Sequence, residues 1–84
     1  MQCARIYGMI GHIMGVNKQW DNCLMCYELQ LQIRKEILDP NHEDIGITHA
    51  NIAAAYREMK KYPEAVEHIC KVLDIYKYSY PTNH

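Results

Sequence analysis

The chain has 84 residues, of which 49% are hydrophobic, with 9 basic and 10 acidic side chains and a formal net charge of -1. This length allows one small domain, and the charge balance argues against a nucleic-acid partner, which favours an excess of Lys and Arg. The apolar run from Ile6 to Val16 is interrupted by glycines and by His12, and it is far shorter than the roughly 20 residues of a membrane span. We therefore expect no nucleic-acid partner and no membrane segment.

Four amphipathic helices are predicted, near residues 2–16, 21–38, 43–60 and 63–78. Their apolar side chains recur every three or four residues, which is the spacing of one face of a helix, and no run alternates as a strand does. The stripes are, in chain order, Cys3, Tyr7, Ile10 and Met14; then Cys23, Leu24, Tyr27, Leu31 and Leu38; then Ile45, His49, Ile52, Tyr56 and Met59; and finally Ala65, Ile69, Val72 and Tyr76, widened by Val66 and Leu73.

Local signals mark the helix ends. Pro40 disfavours a helical residue before it, so it separates the second helix from the third. Asn41 is the expected N-cap of the third helix, with Asp44 three residues later to reach back to it. Pro63 suits the first turn of the fourth helix.

A shift of 42 residues aligns the two halves of the chain with each other. The identities that it produces include Ile10 with Ile52, Lys18 with Lys60, Leu31 with Leu73 and Ile33 with Ile75. The shift also places the apolar stripe of the first helix on that of the third. We therefore predict an all-α fold in which two antiparallel helix-turn-helix hairpins, residues 1–42 and 43–84, stack as an α-solenoid within a single domain.

Four cysteines would allow two disulfides in a secreted protein, but no small-x-small cleavage site follows the apolar run. We expect reduced cysteines and a cytoplasmic location. Cys23 and Cys26 match half of a zinc or redox motif, yet both lie in a predicted helix and no second Cys-x-x-Cys follows. Ser-His-Asp, paired-carboxylate and phosphate-loop spacings are absent as well. We expect no metal, no cofactor and no enzymatic activity.

Two segments carry a recognisable motif. One is Ala50-Asn51-Ile52-Ala53-Ala54-Ala55-Tyr56 followed by Lys61-Tyr62-Pro63-Glu64-Ala65, and the other is the linker from Leu31 to His42. Both resemble the tetratricopeptide repeat, in the 42-residue variety typical of kinesin light chains. The resemblance implies a helical-repeat scaffold for protein–protein interaction. It also implies that the small residues Gly11, Cys23, Ala53 and Ala65 lie where helices cross closely.

The first repeat departs from the family pattern in several places. It has Met9 where the family places a groove asparagine and Gln30 where the family prefers alanine. Gly8 and Gly15 lie inside its first helix, where each glycine costs about 0.5–1 kcal/mol relative to alanine. We therefore expect the first helix to be the least stable element.

In this family the first helix of each hairpin lines the concave side of the superhelix, and the resemblance implies that a partner protein or extended peptide binds there. The candidate site residues are Arg5, Met9 and His12 in the first repeat and Asn51, Ala54, Arg57 and Glu58 in the second. Asn51 matches an asparagine that hydrogen-bonds peptide backbone in relatives, since an amide supplies both a donor and an acceptor. Arg57 would offer a fork to a carboxylate.

The alternative is a structural role, in which the chain is a self-associating fragment of a longer repeat array without a dedicated peptide ligand. Repeat arrays usually need about three units. The chain holds two, and Asn83-His84 falls where Asn41-His42 introduces the second repeat. This alternative predicts exposed apolar faces at the ends of the stack and homo-oligomers formed through them.

Overall fold

The computed structural model describes the backbone of residues 2–79 and the side chains of residues 3–77. It contains four helices, which are α1 (Gln2–Val16), α2 (Trp20–Ile37), α3 (Glu43–Glu58) and α4 (Tyr62–Ser79). The predicted bounds agree with these to within two residues. The predicted match of Asn83-His84 to the repeat register lies outside the described residues.

Each helix packs on its neighbour in the chain: α1 on α2, α2 on α3 and α3 on α4. The loops within each hairpin are only a few residues long, so the two helices of a hairpin run antiparallel. This sequential packing is that of an open stack of two hairpins, not of a closed four-helix bundle. The predicted all-α solenoid is confirmed.

Small residues on α1 allow the first hairpin to close tightly. Ala4 and Gly11 are buried, and a Cβ on Gly11 would lie 3.0 Å from Cε1 of Tyr27. A Cβ on Gly15 would lie 3.3 Å from the Trp20 ring. The expectation that Gly11 lies at a close helix crossing is confirmed, and Cys23, Ala53 and Ala65 are likewise buried.

The hydrophobic core lies between the two hairpins, where α2 meets α3. Its buried members are Cys23, Leu24, Tyr27, Ile52 and Ala55, with Met14, Trp20, Leu31, Tyr56 and Met59 packed around them. Burying an aliphatic side chain of this size contributes about 1.5–3 kcal/mol, so this cluster is the main force that holds one hairpin to the other.

A polar network crosses the same interface beside the apolar core. The Thr48 hydroxyl, fully buried, donates to Oε1 of Gln30 over 2.9 Å. Nε2 of Gln30 donates in turn to the carbonyl of Ala4 over 2.7 Å. Nη1 of Arg34 donates to Oγ1 of Thr48 over 2.8 Å and to the carbonyl of Asp44 over 3.0 Å. The network therefore joins α1, α2 and α3, and it satisfies side-chain groups that would be costly to bury alone.

The predicted stripes of the two outer helices are wrong in part. On α1 the buried positions are Ala4 and Gly11, whereas Ile10 is 36% exposed and Cys3 is exposed. The α1 stripe corresponds, 42 residues earlier, to the α3 stripe that packs on α2. Within residues 2–79, the side chains of this part of α1 remain partly exposed.

The same correction applies to α4. Its buried apolar positions are Ala65, Val72 and Ile75, whereas Ile69 and Tyr76 of the predicted stripe are exposed. Val66 and Leu73, predicted to widen the stripe, are exposed too. Exposed apolar surface at both ends of the stack agrees with the expectation made for a repeat fragment.

The cap of α3 also differs from the prediction. His42, not Asn41, is the N-cap, and its Nδ1 accepts a hydrogen bond from the backbone N–H of Asp44 over 2.9 Å. The backbone N–H of Asn41 instead donates to the carboxylate of Asp39 over 2.9 Å. This turn moves Asn41 out of the cap position, because its backbone is used to close the loop.

The first helix of each hairpin ends in the same way. Lys18 and Lys60, which are 42 residues apart, have φ values of 62° and 63°. The residue after each lysine donates its backbone N–H to a carbonyl in the last turn of the helix. Gln19 donates to the carbonyl of Met14 over 2.8 Å, and Lys61 donates to that of Tyr56 over 2.9 Å. These are Schellman motifs with lysine where glycine is usual.

None of the helices within residues 2–79 is both long enough and apolar enough to cross a membrane.

Candidate binding groove

A groove runs between α1 and α3, with α2 as its floor. It consists of two adjoining cavities of about 280 and 520 Å³. His12, Asn51 and Tyr27 line both cavities, so they mark the centre of the groove. The groove follows from the packing order, because α1 and α3 both pack on α2 rather than closely on each other.

Six of the seven predicted site residues line this groove: Arg5, Met9, His12, Asn51, Ala54 and Glu58. The groove also contains Val16 on α1 and Ile47 on α3. Arg57 lines neither cavity. Its side chain is 65% exposed, with Nε 3.7 Å from a carboxylate oxygen of Glu58 at the groove rim.

Asn51 is half-buried at the centre of the groove. Within the part of the chain that the structure describes, its carboxamide makes no hydrogen bond. A half-buried amide that has both a donor and an acceptor to offer is suited to a second polypeptide, whose backbone presents the complementary pair.

The two ends of the groove differ in charge. The larger cavity is lined by Arg5 and Arg34, and no acidic side chain among the described residues lines it. The smaller cavity has one acidic side chain, Glu58, and no basic side chain apart from the central His12. Between these ends the groove is lined by apolar side chains, including Met9 and Ile13 on α1 and Ala54 on α3.

The floor of the groove was not predicted. Trp20, Tyr27, Gln30 and Arg34, all on α2, line one or both cavities. Apolar periodicity assigned Tyr27 to the core, which is correct, but one edge of its ring is also accessible from the groove. The presence of Gln30 where the family prefers alanine was the one available signal, since a large polar residue at a packing position needs a partner.

Arg34 has a structural role as well as a place in the groove. Its Nη1 is fixed by two hydrogen bonds to α3. Its Nε is buried and has no hydrogen-bond partner among the described residues. The guanidinium is therefore held in one orientation, and its positive charge contributes to the field of the larger cavity.

The second hairpin contains a pair of histidines away from the groove. Nδ1 of His49 lies 2.9 Å from Nδ1 of His68, so one ring nitrogen donates and the other accepts. The ring of His68 also stacks on Tyr56, with centroids 5.8 Å apart. Burial, and then the nearby His68, lowers the pKa of His49 to about 4; burial also lowers the pKa of His68. His49 belongs to the predicted apolar stripe of the third helix, and it is buried there with His68 as its hydrogen-bond partner.

All four cysteines are unpaired. Burial, followed by the neighbouring Cys26, raises the pKa of the Cys23 thiol, so this sulfur is a poor nucleophile. Cys23 is 2% exposed and belongs to the core between the hairpins. Within residues 2–79, no three His, Cys, Asp or Glu side chains converge as metal ligands.

A family model described as tetratricopeptide repeat matches residues 2–77 of the chain. No curated protein and no solved structure matches it. The matched segment includes α1, α2, α3, the part of α4 up to Lys77, and every residue that lines the groove.

Proposed function

Since the chain belongs to the tetratricopeptide repeat family, whose members are protein–protein interaction scaffolds, we propose that it binds an extended peptide of a partner protein in the groove between α1 and α3. The observation that carries this proposal is Asn51, a half-buried carboxamide at the centre of the groove with no hydrogen bond to the described part of its own chain. An extended backbone laid across it accepts from its N–H₂ group and donates to its oxygen. Each such bond contributes about 0.5–1.5 kcal/mol.

The apolar walls support the same ligand. Met9 is 66% exposed and Ile47 41% exposed on opposite sides of the groove. Apolar side chains of the peptide would cover them, with Ala54 leaving space beside the centre. Methionine suits such a surface because its flexible side chain adapts to different partners.

The charges at the two ends give the peptide a direction. An acidic residue would lie near Arg5 in the larger cavity, and a basic residue near Glu58 in the smaller one. His12 lies between them and offers a polar contact. We assign Arg57 a rim contact only, because its side chain lines neither cavity and lies beside Glu58.

The proposal includes no catalytic step. Cys23 is buried with a raised pKa, and the two close histidines lie in the second hairpin, outside the groove. We propose a non-enzymatic binding module that needs no cofactor. The four unpaired cysteines favour the reducing environment of the cytoplasm.

The test is a selection of random displayed peptides on the wild-type chain, followed by affinity measurements on variants. Asn51→Ala should weaken the enriched peptides by about tenfold, the value of a lost pair of hydrogen bonds. Arg5→Glu should weaken peptides that carry an acidic residue and should favour peptides in which that residue is basic.

Asn22→Ala is the matched control, because Asn22 is an exposed helical asparagine that does not line the groove. Its affinities should equal those of the wild type. The proposal is wrong if the enriched peptides bind Asn51→Ala as tightly as they bind Asn22→Ala.

A further inference from the structure

Each end of the stack exposes a row of large apolar side chains. We call Ile6, Ile10 and Ile13 the α1 end face, and Val66, Ile69 and Leu73 the α4 end face. These six side chains are between 36% and 56% exposed. Both rows are continuous along their helices, with spacings of three or four residues, so each forms one patch of the kind that marks an interaction surface.

Each end face has a buried equivalent inside the molecule. The 42-residue repeat places the α4 end face on Leu24, Tyr27 and Leu31, which are the α2 side of the interface between the hairpins. It places the α1 end face on Thr48, Ile52 and Ala55, which are the α3 side of that interface. The two end faces are therefore the two halves of an interface that the chain already makes once.

The residues of the internal polar network differ from their equivalents at the two ends of the stack, and they differ on both sides of the interface. Inside, Thr48 bonds both Gln30 and Arg34. The equivalents of these three residues are Ile6, Val72 and Tyr76, in that order. The hydroxyl of Thr48 and the carboxamide of Gln30 are thus replaced by the aliphatic side chains of Ile6 and Val72, of which Val72 is buried in α4. The guanidinium of Arg34 is replaced by the ring of Tyr76. Packing one end face on the other would therefore not bury the hydroxyl, amide or guanidinium of this network without its partners.

Side-chain size changes in a compensating way as well. Tyr27 and Ala55 belong to the same internal cluster, one large and one small. Their equivalents are Ile69, which is smaller than Tyr27, and Ile13, which is larger than Ala55. Such an exchange keeps the total volume across the interface close to its internal value, which packed cores tolerate best.

We propose that a second copy of this chain occupies each end face, with the α4 end face of one copy packed on the α1 end face of the next in the register of the α2–α3 interface. The contact is head-to-tail, so it uses two different surfaces and leaves one of each free at the ends of the assembly. It also places α1 of the next copy where a fifth helix of the stack would lie, and the groove continues across the junction.

Sedimentation of the full chain over a concentration series tests this proposal. The wild type should pass from monomer to species larger than a dimer in the micromolar range. Ile6→Glu on the α1 end face and Leu73→Glu on the α4 end face should each weaken association by at least about 30-fold, since each replaces a buried aliphatic contact with a charge. Both positions are more than half exposed in the single chain, so both variants should keep wild-type helicity by circular dichroism.

Mixing the two variants separates head-to-tail contacts from symmetric ones. Ile6→Glu retains a normal α4 end face, and Leu73→Glu retains a normal α1 end face. The mixture should therefore form a one-to-one dimer and nothing larger. Met25→Glu is the control, because Met25 is as exposed as Leu73 but lies on neither end face, and it should associate like the wild type.

A wild-type chain that stays monomeric at all these concentrations overturns the proposal and leaves the end faces to a different protein. A dimer that survives either single substitution also overturns it, since that result requires one face to pair with itself. Association weakened equally by Met25→Glu would show non-specific apolar contact and would overturn it too.

Discussion

The carboxamide of Gln30 fills the space that a side chain on residue 8 would need. Gly8 lies directly beside it, and a Cβ added there would collide with Nε2 of Gln30. That nitrogen is fixed by its bond to the carbonyl of Ala4, and Oε1 is fixed by Thr48. Gly8 and Gln30 therefore depend on each other. The missing side chain at Gly8 leaves the space that the Gln30 carboxamide occupies.

The contact between Gly8 and Gln30 predicts that the effect of Gly8→Ala on the free energy of unfolding changes sign when Gln30 is replaced. Gly8→Ala should lower the free energy of unfolding by about 1–2 kcal/mol, because the new methyl displaces a buried amide that is hydrogen-bonded through both its nitrogen and its oxygen. In a Gln30→Ala background the same substitution should raise it by about 0.5–1 kcal/mol, the helix preference of alanine over glycine. Urea denaturation of the four chains measures both effects.

Gly15→Ala is the comparison substitution, because the nearest neighbour of Gly15 is the ring of Trp20 and not the amide of Gln30. Its Cβ would lie 3.3 Å from Trp20, so its cost should not depend on residue 30. Equal effects of Gly8→Ala in the two backgrounds would show that Gln30 does not set the need for glycine.

The histidine pair predicts a loss of stability in weak acid. The pKa of His49 is about 4 in the folded chain against 6.5 for a free histidine, so the unfolded chain binds more protons between these values. The free energy of unfolding should therefore be highest above pH 6.5 and should fall as the pH drops, by up to about 3 kcal/mol when pH 4 is reached. Denaturation at a series of pH values measures the slope.

His49→Gln should flatten that slope between pH 7 and pH 5, where few carboxylates titrate. His12→Gln, in the groove and outside the second hairpin, should leave the slope as it is. A slope that persists in His49→Gln and disappears in His12→Gln would contradict this prediction, because it would assign the loss of stability in acid to the first hairpin.

The helix ends predict a simple stabilisation. Lys60 closes α3 with a φ of 63°, a conformation that disfavours a side chain but suits glycine. Lys60→Gly should raise the free energy of unfolding by about 0.5–1 kcal/mol, and Lys18→Gly should do the same at the end of α1. Thermal unfolding measured on Lys61→Gly, whose residue does not have a positive φ, should show no gain.

The repeat supplies a matched pair of core substitutions. Ile52 is fully buried between the hairpins, while Ile10, its equivalent 42 residues earlier, is 36% exposed. Ile52→Ala should cost about 3–4 kcal/mol and Ile10→Ala less than about 1 kcal/mol, when both are measured at a concentration where the chain is monomeric. Similar losses would mean that the α1 end face is already covered within the chain.

Much of the fold could be predicted from the sequence because the repeat supplies two copies of each signal. The helices and their order followed from periodicity and turn residues, and the small residues at the crossings followed from the resemblance to the tetratricopeptide repeat. The buried faces of α1 and α4 did not, since an apolar stripe such as Ile10 with Met14 shows which face avoids water but not whether a neighbour is present. On α4 that ambiguity placed Ile69 in the core, although it is exposed.

Apart from Arg57, the candidate site residues chosen from the sequence lie on the walls of the groove, and none of them lies on its floor. Residues on α1 and α3 could be placed because the resemblance to the tetratricopeptide repeat implies that the first helix of each hairpin lines the concave side. The floor residues Tyr27 and Arg34 belong to an interior helix, and periodicity assigns such residues to packing alone. The cap of α3 was displaced by one residue for a similar reason, since Asn41 and His42 both have side chains able to accept the hydrogen bond.

A peptide bound in the groove in contact with Asn51 can be detected directly by nuclear magnetic resonance. A selected peptide is titrated into Leu73→Glu, a variant expected to keep the groove but not self-association. We expect the largest amide and side-chain shifts at His12 and Asn51, with smaller shifts along both groove walls. Shifts confined to α4, or to the hairpin loops, with Asn51 unchanged would contradict binding in the groove.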